Sequence, residues 1–368
     1  MDGNEASAWA ALCAGCGFFA GYPITPATGI LSTLLRLLPA RGGVCLQTED
    51  EISALGLCIG ASMAGKKAMT ATSGPGISLC AEQIAFAIAG EIPLVIVDVQ
   101  RLGPSTGSAT RGADGDVGFL RWAFGSGLPI IALCPQDVRD SFFLTFQAFN
   151  WAERFRCPVF IASSKEVALT RESVQLDETL LPVVEDRKPP PRNAGWMPYE
   201  TTPQRPVPYF LPIGAKIPVR QTSSTHGPDG YITTDPAEIG KNIQRLAQKI
   251  QSASEYLAQC EYLAGPVART LIIAYGVTAR AARQAFEILK KSSAPASLLI
   301  LKTLWPVSET LIQDIAAPFR RILVLEMNLG QYVREIRRIL PCQNISFLGQ
   351  MNGELITPTR IVKAVVHE

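Results

Sequence analysis

The chain has 368 residues, enough for roughly two domains. Its net charge of +2 supplies no basic stripe for nucleic acid, and its apolar runs fall well short of the roughly 20 residues a membrane span needs. The opening Met1-Asp2-Gly3-Asn4-Glu5 lacks the basic start and apolar core of a signal peptide, so the cytoplasm is the expected compartment.

Small and apolar residues predict a helix over 3–19, closed by Gly21. Gly21-Tyr22-Pro23-Ile24-Thr25-Pro26 follows as a turn stiffened by two prolines. Each proline fixes its own φ and pushes the residue before it towards extended geometry, which presents the Thr25 hydroxyl at a fixed place. A second helix is expected over 28–38. Strands and helices then alternate: strand 43–48 and helix 52–64, then strand 67–72 and helix 77–89 across a Gly-Pro-Gly turn. Strand 93–99 leads to a polar loop over 101–117, followed by strand 129–133, helix 137–156 and strand 158–162. The strand runs are almost continuously apolar, the mark of a parallel sheet covered on both faces. Such alternation makes a doubly wound α/β domain. Between strand 43–48 and its helix, Glu49-Asp50-Glu51 sets three carboxylates where helix capping is an ordinary use for any of them.

Residues 182–236 change character, since twelve of the 27 prolines fall there, Pro189-Pro190-Pro191 among them. They read as a linker, an ordered strap between a domain over 1–181 and a smaller one over 237–368. The second domain is expected to open on an amphipathic helix over 237–262. Strand 270–275, helix 279–290, strand 298–301, helix 309–316 and strand 322–326 follow. Helix 331–340, strand 345–348 and helix 358–367 complete it.

Familiar chemistry is missing. No GxGxxG follows a first strand and no P-loop occurs. His226 and His367 are the two histidines, which argues against a Ser-His-Asp hydrolase or a His-rich metal site. Cysteines such as Cys45, Cys58, Cys80, Cys134 and Cys157 sit in apolar stretches and read as small hydrophobes. Cys13 and Cys16 have CxxC spacing but lie inside an apolar helical pattern without a second pair. With no ferredoxin-type cysteine run, no iron–sulfur cluster is expected in this chain. Chemistry must therefore use carboxylates, hydroxyls, arginine and backbone amides.

Further stretches join the proline turn and the acidic cluster. They are Gly3-Asn4-Glu5-Ala6, Ile59-Gly60-Ala61-Ser62 with Gly65, Thr70-Ala71-Thr72-Ser73-Gly74-Pro75-Gly76, and Gln100-Arg101-Leu102-Gly103-Pro104-Ser105-Thr106-Gly107. Later come Ala274-Tyr275-Gly276, Leu304-Trp305-Pro306 and Glu326-Met327-Asn328-Leu329-Gly330-Gln331. In this order they make the chain resemble the thiamine-diphosphate-dependent 2-oxoacid:ferredoxin oxidoreductases, and above all the separate α subunit of the 2-oxoglutarate type. The resemblance implies a pyrimidine-type, thiamine-diphosphate-binding parallel-sheet domain. A transketolase C-terminal-like α/β domain, used for packing and assembly, would follow it.

The resemblance also implies roles. Glu51, rather than Glu49 or Asp50, would be the acid bonded to the cofactor's aminopyrimidine ring, promoting loss of the C2 proton. Such an acid must be shielded from water. Thr25 and Arg101 would contact substrate, the arginine because its planar fork pairs a carboxylate in two places. Arg101 also follows a predicted parallel strand, where open α/β sheets bind ligands. Tyr22, Pro23, Ile24, Ser73 and Gly74 would join Glu51 around the cofactor. The family's diphosphate–Mg²⁺ motif is absent, Asp114-Gly115-Asp116 being a faint echo of it. Mg²⁺ and a [4Fe-4S] cluster are therefore expected in a β subunit, with no metal ligand here and any γ subunit separate. The implied reaction converts a 2-oxoacid, coenzyme A and oxidised ferredoxin into acyl-CoA, CO₂ and reduced ferredoxin, reversibly. Ala123-Phe124-Gly125-Ser126-Gly127-Leu128 lacks a histidine that the family carries there, which keeps branched-chain and aryl 2-oxoacids open as substrates. A non-catalytic assembly subunit is the alternative from another class.

Overall fold

A computed structural model describes residues 1–176, 181–191 and 195–366. The chain opens on α1 (Gly3–Cys13), held by a reciprocal capping box between Asp2 and Glu5. Gly15 then turns at a φ of +83°, a left-handed conformation that suits glycine, and residues 18–21 leave as strand β1 (Phe18–Gly21). The helix expected over 3–19 is therefore corrected. It ends at Cys13, and the last two residues of that range, Phe18 and Phe19, are strand because they pair with neighbours on both sides.

α2 (Thr28–Leu37), β2 (Val44–Gln47), α3 (Glu51–Met63) and β3 (Ala68–Thr72) follow. The helix expected over 77–89 is two, α4 (Gly74–Leu79) and α5 (Ala81–Ala89), meeting at Cys80. Next come β4 (Leu94–Gln100), α6 (Val117–Trp122), β5 (Ile131–Leu133), α7 (Val138–Phe155), β6 (Pro158–Ser164) and α8 (Lys165–Leu169). In the second half, the helix expected over 237–262 is also corrected. It divides into α9 (Pro236–Gln251), α10 (Ser254–Leu257) and strand β7 (Cys260–Leu263), because residues 260–263 pair antiparallel with a later strand. The rest is β8 (Thr270–Tyr275), α11 (Thr278–Leu289), β9 (Ala296–Leu301), β10 (Thr303–Trp305) and α12 (Glu309–Ala316). β11 (Arg321–Glu326), α13 (Val333–Ile339), β12 (Asn344–Gly349) and α14 (Pro358–Val366) complete it. His367 lies outside the described residues.

The first sheet has the order β10-β5-β6-β4-β3-β1-β2 and is parallel except for β10, which runs antiparallel to β5. That strand comes from the second half of the chain and was not foreseen. The second sheet has the order β12-β11-β8-β9-β7, with β7 alone antiparallel. The first sheet is buried on both faces. On one, Phe142, Phe146, Phe149 and Trp151 of α7 pack with the alanines of α1, each large side chain contributing about 1.5–3 kcal/mol by leaving water. On the other, α3 and α5 share an apolar cluster that continues into the second sheet through Trp305, Tyr332 and Tyr275. No described helix is long and apolar enough to cross a membrane.

Between α8 and α9 the described residues form neither helix nor strand. They are tied down at the amino-terminal ends of the first sheet's strands. Arg187 pairs with buried Glu153 through Nε at 2.6 Å and donates to the Ser62 carbonyl at 2.7 Å. The Arg156 guanidinium donates to the carbonyls of Pro208 and Tyr209. His226 is buried with its ring over Tyr199, centroids 3.9 Å apart. Nearby, fully buried Glu91 meets Arg245 at 2.6 Å and Lys249 at 2.8 Å, both from α9. Burial alone would raise this carboxyl, but the two cations outweigh it and hold Glu91 at about 2. Its stabilising contribution is thus present above the ordinary value of 4.5 and lost as the pH falls through about 2. Glu91→Ala strands both cations and should cost about 3–5 kcal/mol in urea unfolding at pH 7. The gap from the parent should narrow below pH ~4.

Candidate active site

Four neighbouring parallel strands, β4-β3-β1-β2, end on one side of the sheet, and each leads into a candidate segment. Gly21 closes β1 before the proline turn, and Gln47 closes β2 before the acidic cluster. Thr72 closes β3 before Ser73-Gly74-Pro75-Gly76, and Gln100 closes β4 before Arg101. Carboxyl ends of parallel strands are where open α/β sheets bind ligands.

The structure separates the three acids that compete for the cap of α3. Asp50 is the N-cap and accepts from the Ser53 N–H at 2.6 Å. Glu49 accepts from the Ser53 hydroxyl at 3.2 Å, in solvent. Glu51 is the first helical residue and only 7% exposed. Its backbone carbonyl accepts from the Cys80 thiol, while its carboxylate takes no hydrogen bond among the described residues. The carboxylate rests against Gly76, where a Cβ would stand 2.6 Å from Glu51 Cγ, 2.7 Å from Oε1 and 2.1 Å from Thr72 Oγ1. Gly76→Ala should therefore displace Glu51. We expect a loss in kcat of about 10²-fold with the purified assembly intact, read by steady-state turnover beside size-exclusion chromatography. One residue before the turn, the Ser73 hydroxyl is buried without a hydrogen-bond partner.

Arg101 is also 7% exposed. Its Nη1 donates to the Thr25 carbonyl at 2.6 Å and its Nη2 to the Thr106 carbonyl at 2.9 Å, leaving Nε without a partner. Arg101 and Thr25 are thus brought together, though through the Thr25 backbone; the Thr25 side is exposed. Asn4 fixes the far end of this turn, its Nδ2 donating to the Pro26 carbonyl at 2.9 Å. Gly29 makes room for it, since a Cβ there would lie 2.8 Å from Nδ2. That gives Gly3-Asn4-Glu5-Ala6 its structural meaning. Tyr22 is exposed at the rim, Pro23 is half-buried, and Ile24 packs against the core.

Three aspartates link these groups: Asp98, missed at the level of sequence, and Asp114 and Asp116, read there only as a faint echo of a metal motif. The Asp116 N–H donates to Gln100 Oε1 at 2.9 Å, and its carboxylate lies in the field of the Arg101 guanidinium without forming an ion pair with it. It also abuts Gly74, where a Cβ would be 3.0 Å from Oδ2. Asp98, fully buried in β4, faces Asp116, and Asp114 is buried close by. Burial, then the neighbouring carboxylates, push Asp98 well above the usual range. Burial raises Asp114 to about 7, and raises Asp116 to about 6 against the opposing pull of Arg101. One signal was readable: Asp98 interrupts the run Leu94-Val95-Ile96-Val97-Asp98-Val99, and a carboxylate inside a doubly covered strand needs a partner.

The second half of the chain shapes this site too. Asn328 Nδ2 donates to the Asp114 carbonyl at 2.8 Å, and the Asp114 N–H donates to the Met327 carbonyl at 2.9 Å. The Gln331 side chain spans the next turn, donating to the Gly115 carbonyl and accepting from the Gly118 N–H, each at 2.6 Å. By contrast, residues 123–128 lie at the opposite end of the sheet. Phe124 stacks on Phe160 near the start of β6, and Leu128 lines a cleft with Cys157 and Pro158. Within this chain the segment that lacks the histidine does not reach Arg101 or Glu51.

Residues 9–244 match the family described as pyruvate flavodoxin/ferredoxin oxidoreductase, thiamine diP-bdg, and residues 268–361 match the pyruvate:ferredoxin oxidoreductase core domain II. The chain is 38% identical over 371 residues to the 2-oxoglutarate synthase subunit KorA of Methanothermobacter marburgensis, covering 100% of this chain and 98% of that one. It is 30% identical over 357 residues to the ketoisovalerate oxidoreductase subunit VorB of Methanothermobacter thermautotrophicus, covering 97% and 94%. The structure of 2-oxoglutarate:ferredoxin oxidoreductase from Magnetococcus marinus, with 2-oxoglutarate, coenzyme A and succinyl-CoA bound, aligns with a TM-score of 0.92 at 31% identity. That alignment covers all of this chain and 64% of the other.

Proposed function

The chain belongs to the 2-oxoacid:ferredoxin oxidoreductase family, and from that premise we propose that it is the α subunit of a thiamine-diphosphate-dependent 2-oxoglutarate:ferredoxin oxidoreductase. The observation that carries this reading is Glu51, a buried carboxylate to which none of the described residues donates, held over Gly76 at the carboxyl ends of β2 and β3. That carboxylate and the orphaned Ser73 hydroxyl fit a polar heteroaromatic ring laid on this face. Thiamine diphosphate, when bound, supplies the nucleophilic carbon that attacks the 2-oxo group. Glu51 holds a proton at the ring nitrogen, while Ser73 and Gly74 line the ring, with Tyr22, Pro23 and Ile24 at its edge. Arg101 spends two N–H groups on carbonyls and keeps the rest of its five for the substrate carboxylate, beside Thr25.

We place Mg²⁺ and the [4Fe-4S] cluster on a β subunit, which would also complete the cofactor site and pass electrons to ferredoxin. Exposed Tyr22, Leu46, Ile52, Leu57 and Leu79, beside the edge strand β2, support a partner seated on this rim. No disulfide joins the cysteines, which suits a cytoplasmic complex. 2-Oxoglutarate is preferred over branched-chain acids because identity to the 2-oxoglutarate synthase subunit is 38%, against 30% to the ketoisovalerate one. The test is viologen reduction by the complex that co-purifies with the tagged chain, given coenzyme A and a panel of 2-oxoacids. Turnover with 2-oxoglutarate is expected. Turnover only with another acid would move the substrate assignment, and none in the presence of an iron–sulfur partner would favour an assembly subunit.

A further inference from the structure

Arg101 is buried, yet no carboxylate pairs with it in a hydrogen-bonded fork; its Nη groups go to backbone carbonyls. Asp116 is the acid whose charge acts on it, from beyond ion-pair distance. This aspartate is fixed from several directions: its own N–H by Gln100, its flanking peptides by Gln331, and Asp114 by Asn328. Despite that, its Oδ2 accepts no hydrogen bond. Behind it stands Asp98, fully buried, with no protein donor bonded to either oxygen. Two facing carboxylates in a dry interior cannot both ionise, and their contact becomes a hydrogen bond once one holds a proton.

We infer that Asp116 is a positioning residue for Arg101, and that Asp98, protonated, donates to Asp116 and keeps it a single negative charge turned towards the guanidinium. The inference rests on reading Arg101 as the substrate contact. One charge on the pair balances one on the arginine. The guanidinium is then oriented without being used up in a two-pronged ion pair, and its spare donors stay open to a substrate carboxylate. Two charges on the pair would overbalance Arg101 and repel the incoming anion. The charges of Arg101 and Asp98 act on Asp116, and those of Asp116 and Asp114 act on Asp98; Asp114 in turn lies in the field of Glu166 of α8 and Glu326 of β11, with the Cys134 thiol and the Tyr275 hydroxyl also near it. The charged groups that act on Asp98 are the carboxylates of Asp116 and Asp114, so alkaline pH strips the shared proton and weakens substrate binding.

The test uses the assembled complex and measures KM for the 2-oxoacid and for coenzyme A across pH, beside thermal unfolding. Asp98→Asn still donates to Asp116 but cannot ionise. It should stay within about 3-fold of parental kcat/KM near neutrality and lose the alkaline rise in 2-oxoacid KM. Asp98→Ala and Asp116→Asn should each raise that KM about 10-fold, leaving the coenzyme A KM and the assembly unchanged. The inference is overturned if Asp98→Asn is as damaging as Asp98→Ala, or if its alkaline limb matches the parent's. An unchanged 2-oxoacid KM in Asp116→Asn would overturn it as well. Arg101→Lys, run alongside, separates the two levels: no effect there removes the underlying substrate assignment, whereas an effect there with none at Asp116 removes only the pairing. Should Asp116→Asn fail to assemble, the Asp98→Asn pH profile decides alone.

Discussion

Glu51→Gln, in the assembled complex, is expected to lower kcat by about 10²- to 10⁴-fold while the subunits still co-purify. The substituted amide has the shape of the carboxyl and keeps the fit against Gly76, so nothing in the packing of α3 is disturbed. What it loses is the ability to give and take a proton at the ring. Asp50 remains the helix cap, so α3 itself should hold. The expected profile is thus a complex of parental size and melting temperature that fails in viologen reduction. Full activity in this variant would sink the catalytic assignment and revive the assembly-subunit reading.

Arg101→Ala should lower kcat/KM for the 2-oxoacid by roughly 10²-fold or more, mostly through KM, because a buried partner of a charged group is worth about 2–5 kcal/mol. Two consequences compound here. The substrate loses its guanidinium, and the carbonyls of Thr25 and Thr106 lose the donor that ties the proline turn to the loop after β4. Arg101→Lys separates them. A lysine is a point charge that can meet one carbonyl or the substrate, but cannot span them as a planar fork does. It should fall between the parent and Ala. Coenzyme A KM is the internal control, and an unchanged 2-oxoacid kcat/KM in Arg101→Ala would end its role as a substrate contact.

Legibility differed between fold and site for physical reasons. The parallel strands β4, β6, β8 and β11 declared themselves through almost continuous apolar runs, because both faces of a parallel sheet are covered. β1 hid because Phe18 and Phe19 continue the apolar pattern of α1, and only the left-handed Gly15 separates them. β7 and β10 hid because each takes its strand conformation from a distant partner, β9 and β5 respectively. At the site, Glu51, Arg101 and Thr25 came from motifs, and the structure sets them beside one another's segments. Asp98 did not, and Asp116 and Gln331 stood in motifs without a role, since their meaning lies in contacts such as Gly118 to Gln331 across 213 positions of sequence. A one-dimensional pattern holds no trace of those contacts.

β10 carries a consequence for how the chain is made. The first sheet cannot be finished when its own residues have left the ribosome, because its last strand, Thr303–Trp305, is still to be synthesised. Until then the nascent chain holds β5 as a bare edge, with unpaired peptide groups beside an apolar cluster that Trp305 will later cover. Exposed strand edges invite pairing with other chains. Ribosome pausing beyond the strap would lengthen that interval, and a chaperone that shields strand edges would shorten the risk. Translation speed through residues 237–305 therefore bears on yield in a way that no substitution in the active site would reveal.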